Sequence, residues 1–283
     1  MRTTSYLLYF YLVVVQVAVI NAFRPPYAWK CLGKPPQPYL LHVAMTSPSP
    51  QDLGLPQYIQ DINRATVLAV KNFLGLVYKD RHYARFAALE TIARVPYFSY
   101  TSVLHLYETL GWFRKKEYIQ IHFAESWNEL HHLLIMEALG GNSRRVDRLI
   151  ATHIAFFYYW IVVVLYIINP SIAYNLNKQV ELHAYETYNS FIESHGDELK
   201  TLPPPQIALD YYQNDPFMLK AFQYNLQHGG REDKANVTSI HQEVNSLYDV
   251  FCNIRADEAE HAETMGILQR DMALRSRGWK SED

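Results

Sequence analysis

Two cysteines in 283 residues, Cys31 and Cys252, are too few for a disulfide framework or a four-thiolate zinc site. Any metal must therefore be held by nitrogen and oxygen. An excess of one charge is also missing: 26 basic against 28 acidic side chains leave a net charge of −2. That balance excludes a nucleic-acid binder driven by bulk electrostatics. Glycine and proline are sparse, at 11 and 14, so the chain is neither collagen-like nor a low-complexity linker. The 49% hydrophobic fraction can bury a large core. What is plentiful is histidine, with 12 residues, and tyrosine, with 22, which directs the search to carboxylate and imidazole clusters in aromatic surroundings.

Acids are absent before Asp52. Arg2, the apolar run Tyr6 to Ile20 and the junction Val19-Ile20-Asn21-Ala22 read as a signal peptide of about residues 1–22. Residues 23–50 keep Arg24, Lys30 and Lys34 without acids, as a transit segment does. This order is similar to the bipartite presequences of algae with complex plastids, and residues 51–283 are left for the folded domain. Thr201-Leu-Pro-Pro-Pro-Gln206 must interrupt any helix, because proline lacks the N–H and clashes with the preceding turn. Asn225 to Ser239, with Gly229-Gly230, reads as a surface loop. The remainder has helical periodicity and predicts helices over roughly 63–79, 83–112, 115–139, 143–168, 171–197 and 241–273. The fold class is all-α.

Two Glu-x-x-His spacings fall inside these helices, Glu129-Leu-His-His132 and Glu258-Ala-Glu-His261. At i and i+3 both side chains emerge on one helical face and can reach a single ion. Alone, such a spacing is more often a solvated pair. Its weight comes from the ferritin-like four-helix bundle it would complete, in which two helices each give Glu-x-x-His and two others each give one Glu. Glu90, flanked by apolar residues, and Glu181 fit the two single positions. Four carboxylates would neutralise two divalent ions, which permits a buried site.

These residues also carry a resemblance. Leu89-Glu-Thr-Ile-Ala93, Asn128-Glu-Leu-His-His-Leu-Leu-Ile-Met-Glu137 followed by Gly140-Gly-Asn142, His183-Ala-Tyr-Glu-Thr-Tyr188 and Asn253-Ile-Arg-Ala-Asp-Glu-Ala-Glu-His261 resemble the four motifs of the plastid terminal oxidases, the plastid branch of the alternative oxidases. The mitochondrial branch tends to carry Asn-Glu-Arg-Met-His and Glu-Glu-Glu-Ala, which positions 128–132 and 181–184 lack. The resemblance implies a non-haem di-iron enzyme that takes electrons from plastoquinol and reduces O2 to water, with two irons per chain held by Glu90, Glu129, His132, Glu181, Glu258 and His261. It implies further a tyrosine near the metals, Tyr188; polar residues orienting the ligands, Asn128, Arg255 and Asp257; and a quinol pocket of Arg85, Leu89, Ala184 and Thr187. His131, His183 and Glu260 flank the ligand positions and are expected to be exposed or to support the ligands.

Quinol is a bilayer substrate. The longest apolar run outside the presequence, Ile154 to Ile168, has fifteen residues, roughly 22 Å of helix, and is too short to cross. Trp112-Phe113-Arg-Lys-Lys116 offers an aromatic end and a basic cluster to headgroups. The expectation is interfacial, monotopic attachment on the stromal side of the thylakoid membrane, as a possible homodimer. Rival readings are a ubiquinol-oxidising mitochondrial relative, a di-iron hydroxylase or desaturase, a ferroxidase, and a structural membrane protein whose glutamates pair with arginines.

Overall fold

A computed structural model describes residues 55–112, 115–215 and 243–276. The expected presequence over 1–50, the expected loop over 225–239, and Phe113 and Arg114 of the aromatic and basic segment 112–116 lie outside the described residues. Among those described there are helices and no strand: α1 Gln57–Tyr78, α2 His82–Ala93, α3 Val95–Thr109, α4 Lys116–Ala138, α5 Arg145–Ile168, α6 Pro170–Leu199, the short α7 Gln206–Leu209 with a wide turn Asp210–Asn214, and α8 Leu247–Ser276.

Local chemistry sets the boundaries. The expected single helix over 83–112 is two, divided at Arg94, because Pro96 brings no N–H to bond Ile92. Glycine ends α4: Gly140 takes φ +87°, and Gly140 and Gly141 donate to Glu137 and Met136 carbonyls at 2.9 Å each, satisfying two otherwise orphaned acceptors. Asn169 caps α6 by accepting from Ser171 N at 3.0 Å, with Pro170 in the first turn. Asp249 and Ser246 form a reciprocal cap at the start of α8: Ser246 N donates to Asp249 Oδ2 at 2.9 Å and Asp249 N to Ser246 Oγ at 3.4 Å. That cap starts the helix at Leu247 rather than near 241.

The α2–α3 segment, α4, α6 and α8 form the bundle, with α6 pairing most extensively with α8. Its interior holds two aromatic-rich clusters. One contains Phe86, Tyr188, Phe191 and Phe251; the other contains Tyr97, Tyr100, Tyr166 and Tyr174. Each such ring taken out of water contributes about 1.5–3 kcal/mol.

Helices α1 and α5 lie against the bundle by one face. The 24 residues of α5 make about 36 Å, and an 18-residue window of it has hydropathy 1.9. The apolar run at Ile154 is thus the end of a longer helix, which by length and composition suffices to cross a bilayer. The length argument against a span fails. Its packing is one-sided: Ala151, Val162 and Tyr166 are buried, the helix lies against α2, α3 and α6, and Phe156, Phe157, Trp160, Ile161, Val164 and Ile168 are exposed.

Candidate metal centre

All six carboxylate and imidazole side chains singled out by spacing converge at mid-bundle. Donor atoms of Glu90, Glu129, His132 and Glu258 lie within 4.8 Å of one another, and so do those of Glu129, Glu181, Glu258 and His261. Glu129 and Glu258 belong to both groups, as two neighbouring cations sharing two carboxylates would need. Glu90, Glu129, His132, Glu181 and Glu258 are fully buried and His261 nearly so.

Whether these residues fit metal ions is answered by their unpartnered atoms. Glu90 Oε2, both oxygens of Glu129 and of Glu258, Glu181 Oε2, His132 Nδ1 and His261 Nδ1 are buried without a hydrogen bond. A buried polar atom left unsatisfied costs about 1–3 kcal/mol, and eight such atoms meet in this one cluster. His132 Nδ1 lies 3.1 Å from Glu258 Oε1 and His261 Nδ1 lies 2.9 Å from Glu129 Oε1. Neither approach has hydrogen-bond geometry, so these atoms share a focus rather than a proton. Burial pushes the carboxyls of Glu129 and Glu181 up to about 8 and those of Glu90 and Glu258 well above their ordinary value, with Glu129 adding like charge to both. Cations remove that penalty. Oxygen-rich donors with two imidazoles suit iron or manganese.

A surrounding set of hydrogen bonds fixes the orientation of the donors. Asp257 Oδ2 accepts from His132 Nε2, Asn128 Nδ2 and Tyr212 OH, each at 3.0 Å. Because a carboxylate only accepts, His132 carries its proton on Nε2 and presents a lone pair on Nδ1. Asn128 also donates to Tyr211 OH at 2.7 Å. Arg255 instead donates to Asn189 Oδ1 at 2.9 Å, tying α8 to α6 one step away from the carboxylates.

Tyr188 is fully buried, stacked on Phe86 at 4.4 Å, and donates to Glu90 Oε1. It follows Glu181 by seven residues on α6, so it faces the cluster, and its partner comes from α2. Leu89 and Ala184 are buried in the same apolar cluster as Phe86 and Tyr188. Thr187 Oγ1 donates to the His183 carbonyl at 2.8 Å, and the guanidinium of Arg85 acts on the His183 imidazole. His131 is buried rather than exposed, stacked on Tyr211 at 4.2 Å with Nδ1 2.8 Å from Trp127 O.

Sequence reasoning missed several neighbours. Tyr97 donates to Glu181 Oε1 at 2.7 Å. Tyr97 follows Glu90 by seven residues, the interval that separates Tyr188 from Glu181, but it lies outside the motifs that carried the resemblance. Tyr211 and Tyr212 sit in an irregular turn after three prolines, where no periodicity points inward. A buried chain, with His122 Nδ1 3.2 Å from Glu125 Oε2, His122 Nε2 2.9 Å from Tyr174 OH and Tyr174 OH 2.9 Å from Tyr166 OH, lies one turn before Glu129. Burial lowers the His122 imidazole to about 3, so it is neutral.

Residues 57–270 match the family model for alternative oxidases. A chloroplastic/chromoplastic ubiquinol oxidase 4 of Arabidopsis thaliana is 50% identical over 218 residues, covering 77% of this chain and 60% of the relative. A mitochondrial ubiquinol oxidase 2 of Glycine max is 26% identical over 197 residues, covering 69% and 51%. A mitochondrial ubiquinol oxidase 1c of Arabidopsis thaliana is 24% identical over 187 residues, covering 66% and 48%. The chain thus spans from about half to three-fifths of the length of these relatives.

Proposed function

Because this chain belongs to the alternative oxidase family, we propose that it is a plastid quinol:oxygen oxidoreductase, oxidising plastoquinol and reducing O2 to water. The observation that carries the reading is the set of unpartnered buried atoms on Glu90, Glu129, His132, Glu181, Glu258 and His261, which would hold two irons. When bound, the irons supply the exchange of electrons between quinol and O2. The chain's own residues do the rest. Four carboxylates balance the charge of two divalent ions, and Asp257 keeps the His132 proton on Nε2. The aromatic clusters on either side exclude water. The phenol of Tyr188 holds a proton at Glu90, within reach of the centre as general acid catalysis requires. Arg85, Leu89, Ala184 and Thr187 form the quinol site. Each quinol yields two electrons and two protons while O2 takes four of each, so two quinols are consumed per O2.

The plastid assignment follows the 50% identity to the chloroplastic relative, against 24–26% for the mitochondrial ones. Residues 1–50 would act as the bipartite presequence, delivering the enzyme to the stromal face of the thylakoid in an alga with a complex plastid. We place it on the membrane by the apolar outer faces of α1 and α5, without crossing. To span, α5 would have to draw α2, α3 and α6, packed along its buried side, into the hydrocarbon with it. A homodimer completes the proposal.

The deciding measurement is oxygen uptake by purified, iron-loaded protein given a plastoquinol analogue. Uptake at one O2 per two quinols is expected, with none from Glu129→Ala or His261→Ala. An iron-loaded chain that consumes no O2 with any quinol, or that converts its organic substrate to a hydroxylated or desaturated product, would sink the reading in favour of another di-iron chemistry.

A further inference from the structure

The metal cluster contains a repeat that no ligand list expresses. Glu90 is followed after seven residues by Tyr97, and Glu181 after seven by Tyr188. The two phenols cross over: Tyr188 on α6 donates to Glu90 on α2, and Tyr97 on α3 donates to Glu181 on α6 at 2.7 Å. Each of these outer carboxylates therefore has one oxygen taken by a tyrosine and the other, Oε2 in both, buried with no partner. Tyr97 is fully buried, and its ring meets the edge of His261 at 5.6 Å and 63°. It thus touches two members of one four-residue group, while Tyr188 touches a member of the other.

We propose that Tyr97 is a positioning residue for one of the two cations. Its hydroxyl fixes the rotation of the Glu181 carboxylate so that Oε2 alone is offered to the ion shared with His261, as Tyr188 does for Glu90 and the ion shared with His132. A monodentate carboxylate with its second oxygen held by a donor is preorganised and loses less freedom on binding. Without the hydroxyl, Glu181 is free to rotate and its Oε1 is left buried without a donor. The break at Arg94 is what aims the phenol: α3 restarts at Val95, and Tyr97 stands in its first turn, opposite α6.

This inference rests on reading the six-residue cluster as a two-metal centre, and the test separates the two ideas. Metal-free protein is titrated anaerobically with Co(II), with visible absorption and chelator competition giving two stepwise affinities. Tyr97→Phe keeps the ring and removes one oxygen. It should weaken one of the two affinities by about 10- to 100-fold and leave the other within about twofold. Tyr188→Phe should also weaken one, and the double variant should weaken both, because the two phenols serve different ions. Two unchanged affinities in Tyr97→Phe would overturn the proposal, even with a lowered unfolding midpoint of the metal-free protein, since that pattern is packing alone. A double variant with only one weakened affinity would overturn it as well. If Tyr97→Phe does not fold, Tyr97→Leu, also without a donor, takes its place. A wild-type chain that binds no Co(II) at all would instead remove the two-metal reading.

Discussion

At the scale of single residues, the site is a set of buried donors whose cost bound cations would remove. Glu129 and Glu181 hold protons up to about 8 against an ordinary 4.5, so the metal-free folded chain binds protons that the unfolded chain has already released. Stability rises with pH only where the unfolded state binds more protons, and here the folded state does. The contribution is complete below about pH 4.5 and is lost as pH rises towards 8. Thermal unfolding of chelator-stripped protein should therefore give a lower midpoint at pH 8 than at pH 5. Added iron should raise the midpoint more at pH 8, because metal replaces the protons. A second expectation concerns Tyr188: at saturating iron, Tyr188→Phe keeps two metals and its fold, while quinol oxidation falls by about 10²- to 10⁴-fold. Arg85→Ala should raise the apparent KM for quinol and leave metal content alone. The six donors were legible because i, i+3 spacing and an apolar setting are local signals. Tyr212 was not, because what makes it a neighbour of the cluster is the meeting of segments far apart in sequence, at Asp257.

At the scale of elements, most helices lie within a few residues of where periodicity predicted them, and the departures have identifiable causes. Pro96 divides one expected helix, and the Ser246–Asp249 cap sets the start of another. Gly141, after the end of α4, shows how closely two elements meet. A Cβ there would lie 2.5 Å from Tyr83 O and 2.8 Å from Ala87 Cβ. Gly141→Ala should cost about 1–3 kcal/mol of stability by forcing α2 and α4 apart, measurable as a lower urea midpoint at unchanged slope. Helix α5 makes a different prediction through its outer face. Replacing the exposed Phe157 and Trp160 by glutamate should release the protein from vesicles without detergent, while its metal content is unchanged. In sealed membranes, protease on the face opposite the enzyme should cut nothing. Cleavage there would establish a span by α5, whose helix was legible over 143–168 although its unbroken apolar run covers only the last fifteen residues.

At the scale of the whole molecule, four helical segments from distant parts of the chain each deliver at least one donor to a single point. No fragment lacking one of them retains the complete set. The segment between α7 and α8 stands outside that requirement. Its base is pinned on both sides: Leu247 N donates to Leu202 O at 2.9 Å and Gln213 Nε2 to Val244 O at 3.3 Å, while Asp215 accepts from Trp127 Nε1 at 2.9 Å. A chain leaving at Asp215 and returning at Glu243 begins and ends beside itself, and closing a longer loop between fixed ends costs only about 0.6 kcal/mol per doubling. Asp215 and Glu243 are accordingly anchored ends between which extra chain can be inserted. A fluorescent protein grafted between those ends should leave iron content and quinol oxidation unchanged and report the enzyme's whereabouts in a living cell from an interior position, leaving the N-terminal residues untouched.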